Sequence, residues 1–287
     1  MFTPRIYPLL LLLLLTGCFS APPGHPLAEK GEAIQSKAAR FFRECRTELA
    51  LGEYRKVLHL AELRDDPAGI ATALLNLGTV QLVRGDLAEA TLQFRQAERR
   101  FAVLGDDPSR LQARINLAII QVRTGEVQKG VEALQQILGQ PEADKRLPPM
   151  LQVVALNGLA GGLGDLRQYS QAHATLERAD TLARESGIQR ELASTRMNRA
   201  RLQFKQGNLS QAKQALGQAL EMDRSTENVL GIAADLHLLG VIADQEGEKE
   251  QARDHFRQAG SMFDYCGLEK NRIFSQEQRK YLESKPR

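Results

Sequence analysis

One frame of small and large apolar residues returns along almost the whole chain, and it constrains the fold more than any other feature. The turn between two helices is placed at Gly52, Gly85, Gly125, Arg167, Gly207 and Gly247, at intervals of 33, 40, 42, 40 and 40 residues. Five residues after each turn comes a small or slim side chain: Val57, Ala90, Gly130, Ala172, Ala212 and Ala252. Four further on the last five segments carry Phe94, Leu134, Leu176, Leu216 and Phe256, and three beyond that Ala97, Ile137, Ala179, Ala219 and Ala259. Seven residues before each turn lies another small position: Cys45, Gly78, Ala118, Ala160, Ala200 and Gly240. Small residues at matched points let two helices approach closely, and the larger residue fills the space beside them. Self-similarity at this period is the signature of a solenoid of stacked helix pairs. Composition agrees, because Ala, Leu, Gln, Arg and Glu dominate and favour helices. Aromatics are only 5% with no Trp, low for one large core. Charged residues are mixed in sign and net charge is +3, which argues against a dedicated nucleic-acid surface.

The frame resembles the tetratricopeptide repeat, a helix-turn-helix unit, from about Ala28 to Lys270. The resemblance implies an all-α fold, a right-handed α-solenoid of about six repeats closed by a C-terminal capping helix. Most units here are about 40 residues long, like the longer subclass in kinesin light chains and several bacterial regulators. The aromatic expected early in the unit is replaced by Gln81, Gln121 and Gln203. In repeat one the expected helices run about Glu29 to Leu51 and Tyr54 to Leu63. Asp66-Pro67 and Asp107-Pro108 read as N-cap and first helical residue. Repeats four, five and six are expected over Met150 to Ser186, Gln189 to Asp223 and Val229 to Cys266. Residues 29–270 form the array, and 271–287 the cap and tail, with Ile273 to Glu283 as the capping helix.

Residues 1–17 read as a targeting segment. Arg5 supplies the positive region, and Leu9 to Leu15 are seven consecutive leucines, too short for a permanent span. Leu15-Thr16-Gly17-Cys18 resembles the bacterial lipoprotein signal. That resemblance implies cleavage before Cys18, a diacylglycerol thioether on its sulfur and acylation of the new amino terminus. Phe19 rather than Asp after the Cys resembles lipoproteins sorted to the outer membrane, facing the periplasm. Residues 18–28, with Pro22, Pro23, Gly24 and Pro26, read as a tether. Cys45 and Cys266 are left in a compartment that permits disulfides. They fall in the first and last repeats, so an extended array would hold them beyond the ~7 Å Cα limit. Both are expected to be unpaired, with Cys45 as core filler.

Two stretches break the regularity. Gly139 to Pro149 holds Pro141, Pro148 and Pro149, a surface loop or a hinge between half-arrays. Gly158, Gly161, Gly162 and Gly164 crowd one helix, where each Gly costs about 1 kcal/mol relative to Ala. No Gly-Lys-Ser/Thr follows them, so close backbone packing or a groove opened for a ligand chain is the better account.

No catalytic constellation appears. The five histidines, His25, His59, His173, His237 and His255, form no metal spacing, and no nucleophile elbow is present. The chain is therefore expected not to be an enzyme, and to need no cofactor, metal, nucleic acid or small-molecule substrate. The concave face is the functional candidate. Asn76, Asn116 and Asn198 stand two residues before the small position of their first helices. In the repeats this chain resembles, an Asn there faces the groove and bonds the main chain of a bound peptide. An amide offers both a donor and an acceptor to an extended backbone. The same Asn residues also have a purely structural reading, as bonds between neighbouring first helices. Arg123, Arg201 and Lys205 fall near that face and suit acidic side chains or a carboxylate. The favoured reading is a lipid-anchored scaffold holding a protein or extended peptide, in envelope, secretion or pilus assembly. The alternatives are a self-assembling structural envelope protein without a groove, and an enzyme accessory or lipid-binding protein using the glycine-rich repeat.

Overall fold

The computed structural model describes residues 26–139 and 147–268. Among them the chain forms twelve α-helices and no strand. In order they are α1 (Pro26–Arg43), α2 (Thr47–Leu63), α3 (Pro67–Arg84), α4 (Leu87–Leu104), α5 (Asp107–Arg123) and α6 (Val127–Leu138). Then follow α7 (Pro149–Asp165), α8 (Tyr169–Glu185), α9 (Gln189–Lys205), α10 (Leu209–Ser225), α11 (Val229–Gln245) and α12 (Lys249–Tyr265). Helices pack in hairpins, and each hairpin packs on the next, as an α-solenoid requires. No described helix is long and apolar enough to cross a membrane.

The backbone marks the repeat more cleanly than the side chains do. Within each hairpin one residue turns left-handed: Cys45, Gly85, Gly125, Arg167, Gly207 and Gly247, at intervals of 40, 40, 42, 40 and 40. Between hairpins the same conformation falls at Asp65, Gly105, Gly187 and Glu227, and after the last described hairpin at Gly267. A left-handed residue after the last helical turn satisfies the terminal carbonyls and reverses the chain. Gly85 does so with its N–H on Leu82 O, and Asp86 N–H reaches back to Gln81 O at 2.9 Å.

Repeat one corrects the sequence reading. Gly52 is not the turn; it lies inside α2, and Cys45 (φ 60°) takes the turn. With that register Ala38, Ala50, Tyr54 and Val57, all buried, occupy the frame positions, and the odd interval of 33 disappears. The error was seven residues, which is nearly two helical turns. Such a shift rotates a helix face by only ~20°, so the apolar pattern survives it. The second proline start is also shifted by one. Asp66 caps α3, accepting from Gly69 N at 2.9 Å, but α5 is capped by Asp106, which accepts from Ser109 N at 3.1 Å.

The small positions pack as the frame requires. A Cβ on Gly78 would lie 2.8 Å from the Phe94 ring, and one on Gly240 2.8 Å from Phe256. Phe94 is fully buried and Phe256 is 2% exposed. One core runs across the interruption in the array, with Leu134 and Ile137 packed beside Leu147, Leu151 and Leu159. Residues 140–146, the signal and tether before Pro26, and the expected capping helix after Leu268 lie outside the described residues.

The array does not stay extended. Cys45 and Cys266 form a disulfide, with Cα atoms 4.8 Å apart across 221 residues of sequence. The expectation that both are unpaired is therefore wrong. It assumed an open superhelix, whereas the curvature brings the last repeat back to the first turn. Thr47 Oγ1 donates to Cys266 O at 2.6 Å, and Cys45 packs with Ala233, Leu236, Phe263 and Leu268. The end of the last described repeat thus meets the N-terminal hairpin.

Candidate peptide-binding face

The concave side holds a cavity of about 410 Å³ between α5, α7 and α9. Four of the six residues singled out from the sequence line it: Arg123, Asn198, Arg201 and Lys205. Asn76 on α3 is half-buried and Asn116 on α5 is 9% exposed, and neither reaches the cavity. The three Asn thus share a register but not a site. The cavity is also lined by the apolar Ile119, Val122 and Val154, by Gly158 and Gly161, and by the carboxylates of Asp165 and Glu191.

The three cations differ in how they are held. Arg123 Nη1 donates to Leu82 O at 3.1 Å, tying the end of α5 to the end of α3. Lys205 pairs with Asp165, forty residues earlier, at the ends of α9 and α7. These two bonds staple successive first helices together, whereas Arg84 at the end of α3 pairs with Glu48 on the second helix α2 and with Asp86 in its own turn. Arg201 has neither a hydrogen bond nor an ion pair among the described residues; Asp165 only adds a favourable field. Its side chain is exposed to water at the cavity, and the protein gathered around it lowers its pKa by desolvation. Arg123 is lowered too, first by desolvation and then by the charge of Arg201. Two guanidinium groups facing one concavity repel each other, and an anion between them relieves both.

Asn157 was not singled out from the sequence, although it lies on the glycine-rich helix that was. It is 9% exposed, lines the cavity, and its Oδ1 has no hydrogen-bond partner. A buried unpaired amide is costly unless something supplies its partner. Its signal was the glycine at 158, which takes the place of Asn76 and Asn198 in the frame and moves the amide back by one residue.

Elsewhere the buried polar groups form a structural cluster. Asp235 is fully buried on α11 beside Asp223, with no donor on either of its oxygens. Burial, then the Asp223 charge, pushes its pKa up to about 8. Asp223 is raised to about 6 by burial, while Asn228 Nδ2, donating at 2.8 Å, pulls the other way. His237 is lowered to about 4 by burial and then by Arg201. No group of three or more metal-ligating side chains is present among the described residues.

Comparison with known proteins agrees with this architecture. Family models described as tetratricopeptide repeat match residues 71–91, 91–145 and 191–263. No characterised relative matches the sequence. Among solved structures, the Rap conjugation gene regulator of plasmid pLS20 in complex with the Phr* peptide is similar, with a TM-score of 0.67 at 16% identity, over 86% of this chain and 66% of that one. Aspartyl phosphate phosphatase F from Bacillus subtilis gives 0.64 at 16%, over 90% and 66%. The type IV pilus biogenesis factor PilW gives 0.51 at 17%, over 88% and 99%. At these identities the likeness is one of fold.

Proposed function

Because the chain is built of tetratricopeptide repeats, we propose that it is a non-enzymatic scaffold that holds an extended peptide or protein segment on its concave face. The observation that carries this reading is the convergence of Arg123, Asn198, Arg201 and Lys205 on one cavity with an unpaired buried amide in its lining. Repeats in this fold expose side chains inward and leave the chemistry to them. The peptide held by the structurally similar Rap regulator supports a peptide as ligand.

The lipoprotein-like Leu15-Thr16-Gly17-Cys18 run adds the setting. We propose anchoring through lipid on Cys18 at the outer membrane, with the array in the periplasm, in envelope, secretion or pilus assembly. The fold shared with a pilus biogenesis factor is consistent with that process. The Cys45–Cys266 bond suits an oxidising compartment.

Capture of envelope proteins on the full chain tests the binding face. Arg201→Gln with Asn198→Ala is expected to release the captured partner; unchanged capture would sink the assignment and favour a self-assembling structural role. Palmitate labelling is expected to vanish in Cys18→Ala, and its survival would remove the anchor.

A further inference from the structure

The four glycines of α7 are not equivalent. A Cβ at Gly158 would lie 2.8 Å from Ile119 Cγ1, at Gly162 2.6 Å from Val131 Cγ2, and at Gly164 3.1 Å from Leu202 Cδ1. Close packing from neighbouring helices accounts for those three. Gly161 has nothing within 4 Å of where its Cβ would be, and it lines the cavity. Alanine would favour the helix there and would fit. What glycine preserves is empty space, a notch floored by helix backbone. Asn157 stands four residues earlier, on the same face, with its buried Oδ1 unpaired. Arg201 and Arg123 stand at the cavity's other walls, on α9 and α5.

We propose that the notch at Gly161 seats one aliphatic side chain of an extended peptide whose neighbouring residue is acidic, with the carboxylate taken by Arg201 and Arg123 and a peptide N–H by Asn157. This rests on the peptide-binding reading above. Three separate demands converge on that ligand. The exposed guanidinium of Arg201, with no hydrogen bond of its own among the described residues and Arg123 lining the same cavity, suits an anion. Asn157 Oδ1 needs a donor, which a main chain carries at every residue but proline. The space at Gly161 opens onto a cavity whose lining includes the apolar Ile119, Val122 and Val154. In an extended strand successive side chains point to opposite sides, so an aliphatic residue and its acidic neighbour can address the α7 notch and the cations of α9 and α5 separately.

The test screens a random octapeptide library against the full chain, then measures the enriched peptides by fluorescence anisotropy. Enrichment of aliphatic–acidic neighbours is expected. Arg201→Gln should weaken binding at least tenfold, and replacing the acidic residue by Gln in the peptide should do the same. Gly161→Leu should block binding while its thermal unfolding stays within a few degrees of the parent, and Gly161→Ala should weaken binding less. Enriched peptides without acidic bias, or binding that ignores Gly161→Leu, overturn this inference and leave the peptide-binding face standing. No enrichment, or binding insensitive to Arg123, Asn198, Arg201 and Asn157 variants alike, overturns both.

Discussion

Helices α7 and α9 hold the same place in consecutive repeats, yet they share almost nothing in composition. α7 buries eleven of its seventeen residues and carries no charge until Asp165 at its end. α9 buries five of seventeen and carries Arg190, Arg196, Arg199, Arg201 and Lys205. Both still place a small residue, Ala160 and Ala200, at the same point against the second helix. The contrast shows how a repeat divides its labour. A few frame positions fix the backbone, and the remaining positions vary freely because each helix sees only its neighbours. The cavity forms where the two meet, with the glycines and apolar residues of α7 beside the cations and Glu191 of α9.

The comparison can be broken most directly at the contact the two helices share. Leu202 of α9 is 4% exposed and its Cδ1 lies over Gly164 of α7. Leu202→Ala is expected to cost about 2–5 kcal/mol, read by chemical denaturation. A loss under 1 kcal/mol would show that the helices are held by their ends alone. Loss of the ring closure comes next in size. Replacing Cys45 and Cys266 together by Ser is expected to cost about 2–4 kcal/mol, with a drop in melting temperature of roughly 2–4 °C per kcal/mol.

A third first helix, α11, is apolar like α7 but buries Asp235 and His237. The folded pKa of Asp235 is raised above its unfolded value, so its stabilising contribution is present at low pH and is lost as pH rises through about 8. One extra bound proton changes stability by about 1.4 kcal/mol per pH unit. Stability is thus expected to fall by about 2 kcal/mol from pH 6 to pH 8, and Asp235→Asn to flatten that limb. His237 acts in the opposite direction: held neutral with a pKa of about 4, it costs stability as pH falls below its unfolded value near 6.5. Melting temperatures across pH 4–9, with Asp235→Asn and His237→Gln measured separately, resolve the two limbs. The smallest pair sharpens the contrast between α7 and α9. Gly161→Ala is expected to stabilise by up to about 1 kcal/mol, whereas Arg201→Gln should stay within about 0.5 kcal/mol. A large loss from either would mean that the residue is structural.

The frame was readable because close packing leaves few choices: Gly78 under Phe94 and Gly240 under Phe256 have no room for a methyl group. Repeat one was misread because Gly52 looks like a turn and a slip of seven keeps the apolar face, while the true turn residue is Cys45. That Arg123, Arg201 and Lys205 lie near one face was legible from register alone. Asn116 was not, because the same register position is buried in one repeat and open in another. Asn157 was hidden by a glycine at the position that holds Asn in other repeats. The closure was out of reach altogether, since it is the sum of small rotations at every joint and no single residue encodes it.

That closure changes what the array can tolerate. An open solenoid can gain or lose a unit and remain itself, with a longer or shorter groove. Here Thr47 must meet the carbonyl of Cys266, and Cys45 its sulfur. Removing one forty-residue unit would leave a gap, and adding one would leave an overlap. The molecule therefore counts its repeats, and its size is fixed by geometry as firmly as that of a barrel with a set number of staves.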